Sequence, residues 1–574
     1  MSSVTPTATS AIPPGAPLQL GSPEEFAALR DFFRRARFDD VTLCRLLGME
    51  DMSDFGSVQW EKLGLPAGIG CPISEPLGKE KTPIPAAPAE PKLDGPLRWC
   101  VQVLARGLPC PATEARAVCG EEALAAFHAL GLLRPAKKHP EMLVCPVWVY
   151  PADGFVVASD RRDDPDGEPF TPAEDVVFPA IYAGTLRFLR LLPEARGGEA
   201  LDLCGGCGIG AFRLSRTARS AVTADLTPRS AFFAEFNARL NGVAVSSLCG
   251  DLYQPLLGRQ FDLISAHPPF VPAAGPNMAY RDAGATGEDV TRRIIEGLPA
   301  HLRPGGICVV LCVARDTTDQ PFEQRARDWL GAANDQFDVL FGLEKIIPVE
   351  GVVDSLRKQG QRIGEEGAHE LLSRLRALGT RQFVYGALFI KRCLKPVTAP
   401  GAPASAGFDA AQFQGHQEAR PTHGPAEAGA PCATAGPVPP PARVRLSPAG
   451  RAADFERLLA WRALCRRPGF GEWLAGSRPR LAPQLELTAR HLVREGELVP
   501  AEFVFSIAGG FEAALRPDAW VVPLVARLEG KRSVAEVFGQ AREVGELPAG
   551  FTFEAFAGLI QMMIERGFLE VEVP

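Results

Sequence analysis

Apolar residues recur at helical spacing near the start of the chain. Phe26, Leu29, Phe32 and Phe33 share one face, and Pro23 stands where a helix begins. Leu43, Leu46 and Leu47 mark a second face, so residues 23–71 read as a short helical region. Between 95 and 165 the spacing predicts three helices followed by a strand pair. Leu97, Val101 and Leu104 form one face, a second helix starts at Thr113, and a third runs through Leu124, Phe127 and Leu130 to Gly131. Val144–Tyr150 and Phe155–Ser159 then alternate as strands around Pro151-Ala152-Asp153-Gly154. That order predicts a winged-helix-like domain. From 170 to 395 strands and helices alternate, the pattern of a doubly wound α/β sheet. Phe383–Ile390 reads as a late strand, and 346–380 before it as an insertion or last crossover whose Arg and Glu residues form a solvated helix face. Near the end, Trp520–Leu528 reads as a helix and Ser533 as the cap of the next. Phe556–Ile564 leads to Gly567, and Phe568–Val573 alternates as a strand, so 443–574 predicts a second winged-helix-like domain.

Composition refines this division. A chain of 574 residues exceeds one core. Residues 1–22 are rich in Ser, Thr, Pro and Ala and are expected to be disordered; 72–94 form a Pro-rich linker and 397–442 an Ala/Pro/Gly-rich one. No run approaches the roughly 18 apolar residues of a membrane span. The first residues have neither a basic nor an apolar signal region, so a cytoplasmic location without membrane contact is expected. A net charge of −7 argues against gripping duplex DNA across a broad face. So does the third helix of the 95–165 region, which offers Glu121, Glu122 and His128 but no arginine. Residues 443–480 carry nine Arg against three acids, which suits a solvated helix face or contact with RNA or an acidic partner.

The chemistry concentrates between 200 and 290. Ala200–Gly210 is an apolar strand with an acid near its end, then a glycine-rich turn, then a helix start, with Asp202–Gly208 matching Asp-x-x-x-Gly-x-Gly. Gly205, Gly206, Gly208 and Gly210 let backbone approach a ligand. Cys204 and Cys207 mimic a metal or redox pair, but no second pair stands at ligand spacing; in such a turn Cys serves as a small residue, and no metal is expected. Two further acids follow at strand ends, Asp225 after Ser220–Ala224 and Asp251 after Gly250. Carboxylates there suit a ligand without phosphates. S-adenosylmethionine is such a ligand: Asp202 can hold its ammonium, Asp225 both ribose hydroxyls, and Asp251 the adenine amino group, with Leu226 covering the base.

This region, about residues 170–315, resembles class I methyltransferases. The nearest branch contains the release-factor glutamine methyltransferases and the small-domain ribosomal RNA guanine methyltransferases. The resemblance is carried by Asp-Leu-Cys-Gly-Gly-Cys-Gly at 202–208, Ala-Asp-Leu-Thr-Pro at 224–228, Asn-Ala-Arg-Leu-Asn-Gly at 237–242 and His-Pro-Pro-Phe at 267–270. Tyr-Arg-Asp-Ala-Gly-Ala-Thr-Gly at 280–287 and Leu-Arg-Pro-Gly-Gly at 302–306 add to it. It implies a mostly parallel, seven-stranded, Rossmann-like sheet over 170–395 that binds S-adenosylmethionine through Asp202, Cys204, Gly206, Gly208, Asp225, Leu226, Asp251 and His267.

In the resembled enzymes the tetrapeptide opens with Asn, Asp or Ser, whose oxygen, with the next carbonyl, accepts hydrogen bonds from the NH₂ to be methylated. Here Pro268 supplies the carbonyl, Phe270 the stacking face and Pro269 a stiff turn, while Tyr280 and Arg281 line the substrate pocket or, for Arg281, pair with Asp282. His267 departs from the pattern. Its imidazole can accept one hydrogen bond in place of the missing oxygen, or act as general base. The leading expectation is therefore N-methylation of a protein, peptide, carrier-bound substrate or metabolite, with RNA still open as acceptor. O- or C-methylation with His267 as base, and a catalytically decayed cofactor-binding regulator, are the alternatives. The acid-turn-acid-acid order argues against a dehydrogenase. Glu288 and Asp289 are expected at the N-terminus of the next helix.

Overall fold

The computed structural model describes residues 17–60, 93, 95–272, 281–358, 363–394 and 438–572. The expectations for residues 1–16, for most of the two linkers and for Tyr280 fall outside these. The chain divides into two compact units. One holds Met1–Arg303, Cys308–Asp319 and Ile347–Phe383; the other holds Pro304–Ile307, Gln320–Ile346 and Val384–Pro574.

The first unit begins with α1 (Pro23–Ala36), closed by a Ser22/Glu25 capping box with Pro23 in its first turn. Its face of Phe26, Leu29, Phe32 and Phe33 is buried. Residues 17–22, expected to be disordered, are instead ordered: Leu18 is fully buried and the Gln19 amide donates to the Leu130 carbonyl at 3.1 Å. Next come α2 (Asp40–Leu47) and α3 (Gly95–Trp99), the latter running on as a π-helical stretch, Cys100–Ala105. The helix α4 (Ala112–Ala129) is broken at Gly120, whose φ of 75° only glycine adopts freely. Three short antiparallel strands accompany it, β1 (Cys110–Pro111), β2 (Arg134–Pro135) and β3 (Met142–Val144), in the order β1-β3-β2. The strand expected over Val144–Tyr150 is broken. Residues 145–147, which include Pro146, separate β3 from β4 (Trp148–Ala152), which pairs with β5 (Phe155–Ser159) as a hairpin of its own.

The α/β sheet of this unit is built from β6 (Glu199–Leu203), β7 (Ser220–Asp225), β8 (Val245–Cys249), β9 (Phe261–Ala266) and β10 (Leu302–Thr317), in the order β8-β7-β6-β9-β10. The pairs β6·β7, β7·β8 and β6·β9 are parallel. The helix α5 (Ala183–Arg190) leads into β6, while α6 (Ile209–Ser215), α7 (Pro228–Asn241) and α8 (Asp289–His301) connect the strands. Strand order reverses between β6 and β9, and at such a switch point the carboxyl ends of the strands open a crevice. Both candidate motifs leave the sheet there. The crossover expected to be a solvated face contains helices Val352–Lys358 and Glu365–Ala377. Its charges do face water, but Val352, Val353, Leu356, Leu371 and Leu375 form one apolar cluster with Val271 and Phe383. Each such side chain contributes about 1.5–3 kcal/mol on burial.

In the second unit the strands run in the order Thr380–Arg392, Phe337–Pro348, Ala442–Leu446, Phe511–Leu515, Glu497–Ala508, Leu485–Arg494. Phe337–Pro348 and Ala442–Leu446 are parallel, and the last three strands form an antiparallel meander. The strands exceed the seven expected, with five in one unit and a mixed run of six in the other. The long hairpin escaped sequence reading because its outer residues are exposed on both faces and carry no burial alternation. Its turn has positive φ at Glu495 and Gly496, the geometry of a two-residue hairpin. Residues 438–442, expected as linker, are held: Arg327 donates to the carbonyls of Val438 and Pro439. Helices Val521–Ala526, Val534–Glu543 (capped by Ser533) and Phe553–Glu565 close the unit, with Leu569–Glu570 paired to Arg480–Leu481.

The arginine-rich run is largely spent on internal structure. Arg462 chelates Asp338 through Nε and Nη2 at 2.8–3.0 Å, both side chains buried, and Arg443 pairs with Glu323 at 2.5 Å. Arg445 and Arg480 meet Glu512 and Glu570. Four of its nine arginines thus meet carboxylates, which weakens the basis for RNA contact.

Candidate active site

The turn after β6 is shaped by backbone geometry. Cys204, Gly206 and Gly208 all have positive φ (56°, 52° and 91°), and Gly208 caps α6. A side chain at Gly210 would strike the Asp202 carboxylate, and one at Gly205 would strike Thr223, whereas a Cβ on Gly206 would meet nothing within 4 Å. The turn is therefore packed on its sheet side and open at Gly206.

Asp202 is buried at the end of β6. Its Oδ1 accepts from the Ser265 hydroxyl at 2.6 Å and its Oδ2 from the Ala211 amide at 3.2 Å. Burial pushes its carboxyl up to about 7, against the lowering effect of these two bonds. Asp225, at the end of β7, accepts from the Gly206 amide at 2.9 Å and the Thr227 amide at 3.2 Å; burial raises its pKa despite them. Between the two, the buried Thr223 hydroxyl has no hydrogen-bond partner among the described residues. Leu226 beside Asp225 is 58% exposed, a large apolar side chain turned to solvent. Asp251 follows β8, and its Oδ2 is already engaged by Arg293 of α8 at 2.7 Å. These two line an open cleft of about 460 Å³ with Leu252, Tyr253 and Gln254. The Cys204 thiol is held well above its ordinary pKa by burial and by the charges of Asp225 and Asp202, and Cys207 reaches about 12. Both stay protonated, in keeping with small turn residues.

The tetrapeptide leaves β9 one strand away. The register pairs Asp202 with Ser265 and Leu203 with Ala266, so His267 emerges beside the glycine turn. Its ring lies between Phe188 of α5 (centroids 5.4 Å apart, 36°) and Phe270 (6.0 Å, 24°). No hydrogen bond to the imidazole occurs among the described residues. Burial lowers its pKa to about 4, so the ring is neutral near pH 7. Pro268 is buried, while Pro269 and Phe270 are half-buried, and Phe270 packs on the apolar cluster of the 347–377 helices. The chain returns so that the Val271 amide donates to the Arg281 carbonyl at 2.9 Å. Arg281 grips the neighbouring Asp282 through Nε at 2.7 Å and Nη2 at 3.1 Å, the pairing that competes with a substrate role. Glu288 does not cap α8 with its side chain. It is buried, and its Oε1 accepts from the Arg315 amide at 2.8 Å and its Oε2 from Arg315 Nε at 2.7 Å, pinning the loop to β10.

Sequence reasoning passed over Ser265, Thr223, Phe188 and the Glu288–Arg315 pair. Ser265 could have been found from its position two residues before His267 on a strand that must neighbour β6. The other contacts come from distant segments.

Against this geometry stand the comparisons with known proteins. Residues 179–334 match the family model described as the methyltransferase small domain. That segment is similar to the family. A ribosomal protein uL3 glutamine methyltransferase of Bradyrhizobium diazoefficiens is 29% identical over 203 residues, 30% of this chain and 63% of that one. A release factor glutamine methyltransferase of Geobacter sulfurreducens is 33% identical over 135 residues, 21% and 47%. The chain thus spans less than two thirds of the length of either. Among solved structures, the T. thermophilus 16S rRNA N2 G1207 methyltransferase in complex with AdoMet and guanosine aligns over 50% of this chain and 64% of that one. The identity is 17% and the TM-score 0.25, too distant to bear on function.

A methyltransferase small domain of this kind uses S-adenosylmethionine. The residues present fit that group: Asp202 supplies a buried acid near the end of β6, Asp225 and the Thr223 hydroxyl, unpartnered among the described residues, border the turn, and the space above Gly206 is open. Among the described residues no cluster of three or more His, Cys, Asp or Glu could hold a metal, and no helix is long and apolar enough to cross a membrane.

Proposed function

We propose that this protein is an S-adenosylmethionine-dependent methyltransferase acting on a nitrogen of a protein or peptide acceptor, most simply a side-chain amide. One observation carries the reading: Asp202 and Asp225 stand at the ends of the adjacent strands β6 and β7 beside the glycine turn, and His267-Pro268-Pro269-Phe270 leaves the neighbouring β9 at the same end of the sheet. Asp202 would hold the ammonium of the donor and Asp225 its ribose hydroxyls, with Leu226 against the adenine. When bound, the donor would supply an electrophilic methyl that bonds to the acceptor nitrogen as the C–S electron pair stays with sulfur. The chain's own part is orientation and exclusion of water. The Pro268 carbonyl and the acceptor nitrogen of His267 take hydrogen bonds from the acceptor NH₂, and Phe270 stacks on its plane. A proton is shed from nitrogen to solvent after transfer, so no strong base is needed.

The low pKa of His267 supports orientation over general-base chemistry and so disfavours O- or C-methylation. A protein acceptor is supported by the relatives, named as glutamine methyltransferases of a ribosomal protein and of a release factor. The order of α3, β1, the two halves of α4 and β2–β3 supports a winged-helix-like module, which in this reading docks the acceptor. The test is labelled-methyl transfer in a host extract separated into protein, RNA and small-molecule fractions. Label is expected in protein and lost in the His267→Ala variant. Label confined to RNA or small molecules would overturn the acceptor assignment.

A further inference from the structure

The hairpin β4–β5 lies outside the sheet, yet it touches both helices that flank the donor turn. Asn237 on α7 is fully buried, and its Oδ1 accepts from the Ala158 amide at 2.8 Å. Its Nδ2 donates to the Ala158 carbonyl at 2.9 Å and to the Cys207 carbonyl, inside the glycine turn, at 3.0 Å. Asn241, one helical turn later, makes the same paired contact with Val156, accepting at 2.9 Å and donating at 2.8 Å. Its remaining bond goes to the Asn237 carbonyl and not to the turn. Two asparagines four residues apart thus act as a strand edge for β5, whose residues 156 and 158 share one side. On the other flank, Asp153 at the tip of the hairpin accepts from Arg213 of α6 and from Arg216 just after it at 3.1 and 3.0 Å, and Phe155 meets Phe212 edge-on at 5.7 Å.

Three residues of the turn hold positive φ, which strains Cys204 and orders flexible glycines, a cost that contacts from neighbours must offset. Asn237 is the side chain that ties this turn to the clasped hairpin. We propose that Asn237 is a positioning residue for the methyl donor: by holding the Cys207 carbonyl it keeps Gly206 open and Asp225 aligned, so that the N-terminal hairpin forms part of the donor site. This rests on the methyltransferase reading. It also makes the N-terminal region more than a docking appendage, because whatever loosens the hairpin loosens the donor.

The test uses the full chain and S-adenosylhomocysteine, titrated by calorimetry into wild type, Asn237→Ala, Asn237→Asp and Asn241→Ala, with thermal melts of each. Both alanine variants lose clasp bonds and melt earlier. Asn237→Ala should weaken binding about tenfold, and Asn237→Asp likewise, since it keeps the acceptor but loses both Nδ2 donations. Asn241→Ala should stay within about twofold of wild type. In turnover, Asn237→Ala should raise the donor KM and leave the acceptor KM unchanged. Equal losses at both positions, or unaltered affinity in Asn237→Asp, would reduce Asn237 to a packing role. A wild-type chain that binds no S-adenosylhomocysteine would overturn the methyltransferase reading itself, and this inference with it.

Discussion

On the proposed donor side of the crevice, hydrogen bonds fix the two acids and the turn: Asp202 by Ser265 and Ala211, Asp225 by Gly206 and Thr227, and the turn by Asn237. On the proposed acceptor side, the central residue is held among the described residues by rings, His267 beside Phe188 and Phe270, with Phe270 leaning on helices inserted almost a hundred residues later. The difference follows from what each side must recognise. A donor of constant structure rewards fixed charges on short, rigid connections. An acceptor that varies between enzymes is served by a pocket whose walls come from replaceable segments, and there this chain departs from the resembled pattern.

The sharpest way to separate the sides is His267→Ala. It should lower kcat about a hundredfold through lost orientation, with donor affinity unchanged. His267→Asn, which restores an acceptor oxygen, should recover most of that rate; no recovery would show that the imidazole does more than orient. Next in size, Asp225→Ala removes charge-assisted bonds of about 1.5–3 kcal/mol and should weaken donor binding about ten- to a hundredfold. An acceptor KM that moved equally would erase the division between sides.

Asp202 gives the comparison a pH signature. Its folded-state pKa, about 7, exceeds the ordinary 3.8, so the folded protein retains a proton that the unfolded chain has lost. The associated stability is complete below 3.8 and fades as pH rises through about 7. An ammonium favours the ionised carboxylate, so donor affinity should climb with pH up to about 7 and then level, and Asp202→Asn should flatten the climb. His267, with a pKa near 4, contributes no limb in that range. A limb near 7 that survives Asp202→Asn but vanishes in His267→Ala would reverse the two assignments.

Smaller effects lie at the edges. Leu371→Ala opens the cluster beneath Phe270, costing about 2–5 kcal/mol of local packing, and should raise the acceptor KM several-fold with donor KM unmoved. Asp251→Ala should change donor affinity by only about twofold, because its Oδ2 is spent on Arg293 and both side chains are half in water.

How far these features were legible before the structure depends on sequence distance. The acids at the ends of β6 and β7, and the tetrapeptide after β9, follow short-range signals: an apolar strand, then a turn chemistry that admits few residue types. The ring cage of His267, the Glu288–Arg315 pair and the hairpin clasp on Asn237 join residues 27 to 79 positions apart, and no local periodicity carries such contacts. Asn237 and Asn241 did stand out as a motif, but its meaning lay in β5, a strand outside the sheet on which their helix α7 packs. The arginine run failed in the opposite way. Its composition suggested a surface, whereas Asp338, Glu323 and Glu570 take up its charge.

The most direct check of the central claim is equilibrium binding of S-adenosylmethionine and S-adenosylhomocysteine to the full chain, alongside Asp225→Ala. Saturable binding of both by the wild type, lost or much weakened in the variant, is the predicted result. A folded wild-type protein that takes up neither ligand, or a variant that binds both as well as wild type, would contradict the account.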